Sequence, residues 1–166
     1  NAVGMAIAEK ILNAKYGNII NHKTWVVVGD GCLMEGISQE AISIAGHLKL
    51  NKLVALYDDN EISIDGPTKL TCSDDQKKRF EASNWNTINV DGHNYKSIED
   101  GIFKSQKSEK PTLIICKTQI GFGSPNKSGK ETSHGAPLGY KESKLTKEKL
   151  KWNFKEFEIP KKIKRK

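Results

Sequence analysis

Thr24-Trp25-Val26-Val27-Val28-Gly29-Asp30-Gly31 is the stretch whose reading decides the fold. Residues 24–29, short and rich in β-branched side chains, predict a buried strand of the kind found in parallel sheets. Gly29-Asp30-Gly31 then ends the strand in a turn, where glycine supplies backbone freedom and aspartate hydrogen-bonds its own backbone. A second apolar run, Leu53 to Tyr57, precedes Asn60, which lies thirty residues after Asp30. One carboxylate and one side-chain amide thus stand at the ends of two neighbouring strands. Hard divalent cations need oxygen ligands of this kind, and Mg²⁺ prefers one or two protein oxygens plus the phosphates of a ligand. Ligands of open α/β sheets bind outside the carboxyl ends of the strands. The pair therefore points to a metal-bridged diphosphate site, although Gly-Asp-Gly after a strand is by itself also an ordinary turn.

Working outward, Val3, Ile7, Ile11 and Leu12 space as a helix that is already under way at residue 1 and ends near Gly17. Such a start, without an initiator Met, predicts a piece of a longer, N-terminally truncated protein. Residues 35–50 predict a helix whose apolar stripe is Ile37, Ala41, Ile44, Ala45 and Leu48. A strand over 53–58, a helix over 74–84 with Asp74 as its N-cap, and a strand over 87–90 follow. A helix over 95–108 and a strand over 112–118 complete the pattern. Alternation of helix and strand with short connections predicts an α/β fold: an open, mostly parallel sheet with helices on both faces. From 120 to 138 the chain is rich in Gly, Ser and Pro, a long loop that is either functional or disordered.

The formal charge of +7 is not spread along the chain. Residues 1–140 hold 16 basic and 16 acidic side chains, and residues 141–166 hold 11 and 4. The expected division is therefore a neutral binding domain over 1–140 and a basic helix with the start of a linker over 141–166. A neutral body argues against a nucleic-acid partner, and the run from Lys161 to Lys166 reads as a solvated tail. No segment is long and apolar enough to span a bilayer, so no membrane partner is expected. Three scattered cysteines, Cys32, Cys72 and Cys116, predict neither zinc nor a disulfide framework, read as small buried hydrophobes, and fit a cytoplasmic setting.

The residues from Gly29 to Ser38, and from Tyr57 to Gly66, resemble the thiamin diphosphate motif of the transketolase family. Asn1-Ala2-Val3-Gly4-Met5-Ala6, Asp91-Gly92-His93, Ile120-Gly121-Phe122-Gly123-Ser124-Pro125-Asn126-Lys127 and Ser133-His134-Gly135-Ala136-Pro137-Leu138 extend the resemblance in order along the chain. The resemblance implies thiamin diphosphate and Mg²⁺ (or Ca²⁺) as cofactors. Asp30 and Asn60 would be side-chain metal ligands and the Ile62 carbonyl a main-chain ligand, with Gly29 and Gly31 beside the diphosphate. Ile64 and Ile120 would wall the thiazolium. His134 would lie at the substrate end, and Glu35 would join a carboxylate network across a dimer interface. Asp58 and Asp59 read as strand-end residues supporting the ligands, His93 as local turn chemistry, and His22 and His47 as surface residues.

By the same resemblance, the reaction would move a two-carbon ketol unit from a ketose phosphate to an aldose phosphate, as in the pentose phosphate pathway. The family's homodimer places the active site at the subunit interface. The glutamate that meets the aminopyrimidine belongs to a later domain of the family, so this chain alone is expected to be inactive. A phosphoketolase, a deoxyxylulose-phosphate synthase or another thiamin diphosphate enzyme is the nearest alternative, against which the Ser-His-Gly-Ala-Pro and Gly-Phe-Gly-Ser-Pro-Asn-Lys segments argue. A non-catalytic cofactor-binding fragment is the alternative from a different class.

Overall fold

Four short strands, β1 (Thr24–Gly29), β2 (Leu53–Asp59), β5 (Asn86–Asp91) and β6 (Thr112–Lys117), pair all in parallel in the order β1-β2-β6-β5. They belong to a computed structural model that describes residues 1–164; Arg165 and Lys166, at the end of the expected basic tail, lie outside the described residues. A two-residue antiparallel pair, β3 (Ile62–Ser63) with β4 (Gly66–Pro67), projects beyond the end of β2. The expected α/β class with a mostly parallel sheet is what the chain adopts.

Side chains that alternate along the strands divide between two cores. On one face Leu53, Ala55, Tyr57, Leu113 and Ile115 pack with Ala6 of α1 (Ala2–Tyr16), with Ile42 and Ala45 of α3 (Gly36–His47), and with Phe80 of α4 (Gln76–Ala82). Phe80 meets Trp85 edge to face with ring centroids 5.0 Å apart, and the Trp85 indole donates to the Ile42 carbonyl at 2.9 Å. On the other face α5 (Tyr95–Ser105) lays Ile98 and Ile102 over Val54, Val90 and Ile114. Asn94 caps that helix by accepting from the N–H groups of Lys96 and Ser97. A half-buried ion pair, Lys52 to the buried Glu9 at 2.5 Å, ties α1 to the start of β2.

Four local expectations need correction. The helix expected over 35–50 forms as α3, and the ψ of 133° at Glu35 separates it from an unexpected short α2 (Asp30–Met34). Its buried stripe is Ile42, Ala45 and Gly46, while Ile37, expected inward, is 71% exposed. The cap of α4 is Asp75, which accepts from the Lys78 N–H, whereas Asp74 pairs with Arg79 at 2.8 Å. Strand β1 is an edge strand with Val27 73% and Trp25 41% exposed, because α5 covers only the β5, β6 and β2 part of that face. Of the three free cysteines, Cys32 is exposed and Cys72 and Cys116 are half-buried, so none is a fully buried hydrophobe. His22 and His47 are exposed, as expected.

Two glycines in helices carry opposite expectations. A Cβ at Gly46 would sit 1.7 Å from the backbone oxygen of Ser83, so α3 approaches the α4–β5 turn at that point through glycine alone. A Cβ at Gly4 of α1 meets nothing within 4 Å. Gly4→Ala is expected to stabilise the chain by about 1 kcal/mol, the ordinary helix preference. Gly46→Ala is expected to destabilise it by about 1–3 kcal/mol or more through overpacking. Chemical denaturation of both variants checks this, and equal signs would refute it.

Candidate functional site

Register brings the site together. Gly29 pairs with Asp58, Asp58 with Cys116, and Asp91 with Lys117, so the carboxyl ends of the four strands are flush. Asp30, the residues from Asp58 to Ile62, Thr118 and His93 therefore line one edge of the sheet, the edge at which α/β sheets bind ligands.

Asp30 opens α2 and is half-buried. Its Oδ1 accepts a 2.5 Å hydrogen bond from the Tyr57 hydroxyl, while its Oδ2 is buried and has no partner. Burial pushes the Asp30 carboxyl pKa up, and the charges of Asp58 and Asp59 add to the rise; the Tyr57 bond and the Glu61 backbone N–H lower it without reversing the shift. Burial and the bond to Asp30 raise the Tyr57 phenol far above its ordinary range, so it stays a donor.

Asn60 is oriented from both sides. Its Nδ2 donates to Asp58 Oδ2 at 3.0 Å, and its Oδ1 accepts from the Ile62 N–H at 2.9 Å. Asp58 Oδ1 in turn accepts from the Thr118 hydroxyl. The Asn60 amide oxygen keeps a second lone pair. Between the two, Glu61 holds a left-handed φ of 61°, a conformation that costs a side-chain-bearing residue about 1–3 kcal/mol. Ile62 pairs with Pro67, which has no N–H to donate to its carbonyl.

These donors suit a hard divalent cation: a buried carboxylate oxygen without a hydrogen bond, an amide oxygen and a main-chain carbonyl. Among the described residues no three His, Cys, Asp or Glu side chains converge on a metal-binding point, so a cation here would draw on amide, carbonyl and ligand oxygens. A Cβ at Gly29 or Gly31 would meet no atom within 4 Å, and neither glycine has a positive φ. The fold thus gives no reason for glycine at either place, and each leaves the backbone open to a close approach by phosphate. An open cavity of about 610 Å³ adjoins Asn60 and Ile62 and is lined further by Thr118, Gln119 and Gly129.

The loop from 118 to 138 is ordered by three clasps. The Gln119 N–H donates to His93 Nε2 at 2.9 Å, and the His93 ring stacks on Phe122 at 4.0 Å. The role of His93 therefore reaches beyond its own turn. Glu142 of α6 (Tyr140–Lys149), only 8% exposed, accepts from the Ser124 hydroxyl and, at 2.8 and 2.9 Å, from the N–H and Nδ2 of Asn126. Lys127 Nζ donates to the carbonyls of Pro137 and Leu138.

Other expected residues are less drawn together. Ile120 is half-buried on this loop, and its carbonyl accepts from the Gly129 N–H at 2.8 Å. Ile64, in the β3–β4 turn, is 71% exposed. His134 follows a short 3₁₀ turn, and Glu35 occupies the N-cap position of α3; both are exposed, and neither side chain makes a hydrogen bond among the described residues. Sequence reasoning missed Tyr57, Thr118 and Glu142. Their signal lay in partners far along the chain, beyond the reach of local spacing.

A family described as "Transketolase, thiamine diphosphate binding domain" matches residues 1–166. A transketolase of Buchnera aphidicola (from Acyrthosiphon pisum) is 56% identical over 98% of this chain and 25% of its own length. The crystal structure of a Campylobacter jejuni transketolase superposes with a TM-score of 0.95 at 42% identity, over 99% of this chain and 26% of that one. A Pichia stipitis transketolase solved in complex with sedoheptulose-7-phosphate gives a TM-score of 0.92 at 38% identity, over 99% of this chain and 25% of that one. The chain thus spans about a quarter of the length of the relatives it matches.

The Glu142 clasp predicts a pH signature. Hydrogen bonds from the Asn126 side chain, the Ser124 hydroxyl and the Asn126 N–H hold the Glu142 carboxyl down to about 2 from an ordinary 4.5. A depressed carboxyl stabilises the fold above its ordinary value and loses that contribution as pH falls toward the folded one. Wild type is expected to be more stable than Glu142→Gln at neutral pH, with the gap closing between pH 4.5 and about 2 in thermal melts. A gap independent of pH would rule out the ionised clasp.

Proposed function

The chain belongs to the transketolase family, and we propose that it anchors Mg²⁺ and the diphosphate end of thiamin diphosphate for ketol transfer between sugar phosphates. In this reading Asp30 Oδ2, Asn60 Oδ1 and the Ile62 carbonyl hold the cation, while Gly29 and Gly31 leave the backbone open to the diphosphate. Ile64 and Ile120 flank the thiazolium. Bound thiamin diphosphate supplies an electron sink for carbanion chemistry next to a ketose carbonyl. The residues of this chain bind, orient and exclude water; His134, on the clasped loop, hydrogen-bonds sugar hydroxyls and passes protons at the substrate end. The observation that carries the reading is the buried Asp30 oxygen without a hydrogen-bond partner, flanked by two glycines that the fold does not require.

The substrates we infer are a ketose phosphate donor and an aldose phosphate acceptor of the pentose phosphate pathway, in keeping with the sugar phosphate seen in the Pichia stipitis relative. A homodimer of the longer protein, with Glu35 facing the partner, would cover the exposed apolar side chains Met5, Ile11 and Leu12 of α1 and Ile37 and Ile44 of α3. Three free cysteines suit a reducing cytoplasm. The division into a binding domain over 1–140 and a basic segment over 141–166 remains part of the proposal, with α6 of the second segment fastened to the loop of the first. By itself the chain is expected to bind without turnover.

Mg²⁺ with thiamin diphosphate should raise the melting temperature of the chain, by an amount equivalent to about 2.7 kcal/mol at a hundredfold excess over Kd. Asp30→Asn should abolish that shift while leaving the metal-free chain no less stable at neutral pH, because a neutral amide is easier to bury than a carboxylate. An undiminished shift in Asp30→Asn would overturn the ligand assignment.

A further inference from the structure

We propose that Lys127 is a positioning residue for His134: by gripping the loop on both sides of that histidine, it fixes where the imidazole meets the sugar phosphate. The inference rests on the reading above that His134 contacts substrate. The main-chain oxygen of Lys127 accepts from the hydroxyl of Ser133, the residue before His134, at 2.7 Å. Beyond the histidine, the Lys127 ammonium donates to the carbonyls of Pro137 and Leu138 at 3.4 and 3.0 Å. Main chain and side chain of one residue therefore pin the two ends of the segment that carries His134.

The segment between those ends has little hold of its own. Gly135 and Ala136 are exposed, a Cβ at Gly135 would meet no atom within 4 Å, and the His134 N–H reaches back to the Glu131 carbonyl at 2.8 Å. Lys127, by contrast, is half-buried and held from behind. Its N–H donates to the Ser124 hydroxyl oxygen at 3.1 Å, and that hydroxyl donates to the buried Glu142. Position thus passes from Glu142 to Ser124, to Lys127 and on to the two ends of the histidine segment. Among the described residues no carboxylate pairs with Lys127, so its charge is directed at main-chain carbonyls. Withdrawing a charge from water without a counter-ion is costly. The return is grip, because a hydrogen bond from a charged donor is roughly twice as strong as a neutral one.

The test is a double-mutant cycle in the longer protein, loaded with Mg²⁺ and thiamin diphosphate: wild type, Lys127→Met, His134→Ala and the two combined. Initial rates with sedoheptulose-7-phosphate as donor and glyceraldehyde-3-phosphate as acceptor give kcat and KM, and titration gives the Kd for thiamin diphosphate. Lys127→Met is expected to lower kcat/KM for the donor about tenfold or more, since a misplacement of about 1 Å can cost about a hundredfold, while the Kd for the cofactor stays unchanged. In the His134→Ala background the same substitution should lower kcat/KM no further, because its target is gone. Losses that multiply, or an unchanged kcat/KM in a folded Lys127→Met, overturn the proposal and leave the role of His134 standing. An unchanged kcat/KM in His134→Ala alone overturns that role, and the proposal with it. Should Lys127→Met not fold, magnetic resonance of ¹⁵N-lysine in the wild type decides: a Lys127 ammonium whose protons exchange with water as fast as those of exposed lysines overturns the grip, and one that exchanges more slowly supports it.

Discussion

The parallel pairing of β1 with β2 is the constraint on which the rest of the site depends. Gly29 opposite Asp58 sets Asp30 level with the chain that runs on to Asn60 and Ile62, and it puts the Tyr57 hydroxyl within 2.5 Å of the Asp30 carboxylate. A slip of one residue would turn Tyr57 away from the face that holds Leu53 and Ala55 and point its ring at the opposite layer. The core that enforces register is thus also the device that aims the donor. Because Leu53, Ala55 and Tyr57 are buried on one face while Val54 is buried on the other, β2 has no freedom to drift.

The sheet edge gathers features that do not favour stability. Burial, and after it the charges of Asp59 and Asp58, raise the pKa of Asp30, one of its carboxylate oxygens is buried without a partner, and Glu61 holds a left-handed backbone. Each is tolerated because the buried residues of the two cores hold the sheet together, and in the proposed reading a cation would offset the carboxylate repulsion and the oxygen without a partner. Local discord of this sort is expected where a fold has a task beyond holding itself together.

Period and composition made the strands legible, because β-branched runs bounded by Gly, Asp and Asn leave few alternatives; helix boundaries and facing were less so. The stripe through Ile37 and Ile44 has helical spacing, yet Ile42 and Ala45 are the residues that meet the sheet, and Ile37 and Ile44 stand exposed. β1 reads as buried from its valines alone, but burial requires a covering element, and α5 reaches only as far as β2. Asp30 and Asn60 could be singled out because their neighbours on either side carry the turn chemistry. Tyr57, by contrast, looks like any aromatic in a strand; only the register shows that its hydroxyl ends beside a carboxylate.

The loop after β6 shows why the basic end of the chain cannot be set aside with its charge. Its own hydrogen bonds, such as those of Lys127 to Pro137 and Leu138, are joined by holds from outside: His93, just past β5, holds Gln119, and Glu142 of α6 holds Ser124 and Asn126. Leu150, just past α6, packs so closely on Gly123 that a Cβ there would lie 2.7 Å from it. The surplus of lysines on α6 points to solvent, while its one buried acid faces inward. Net charge describes the outer side of this helix, and the geometry of the site depends on the inner side. A segment whose composition suggests a tail therefore contributes, through a single carboxylate, to the placement of Ile120 and of the loop that carries His134.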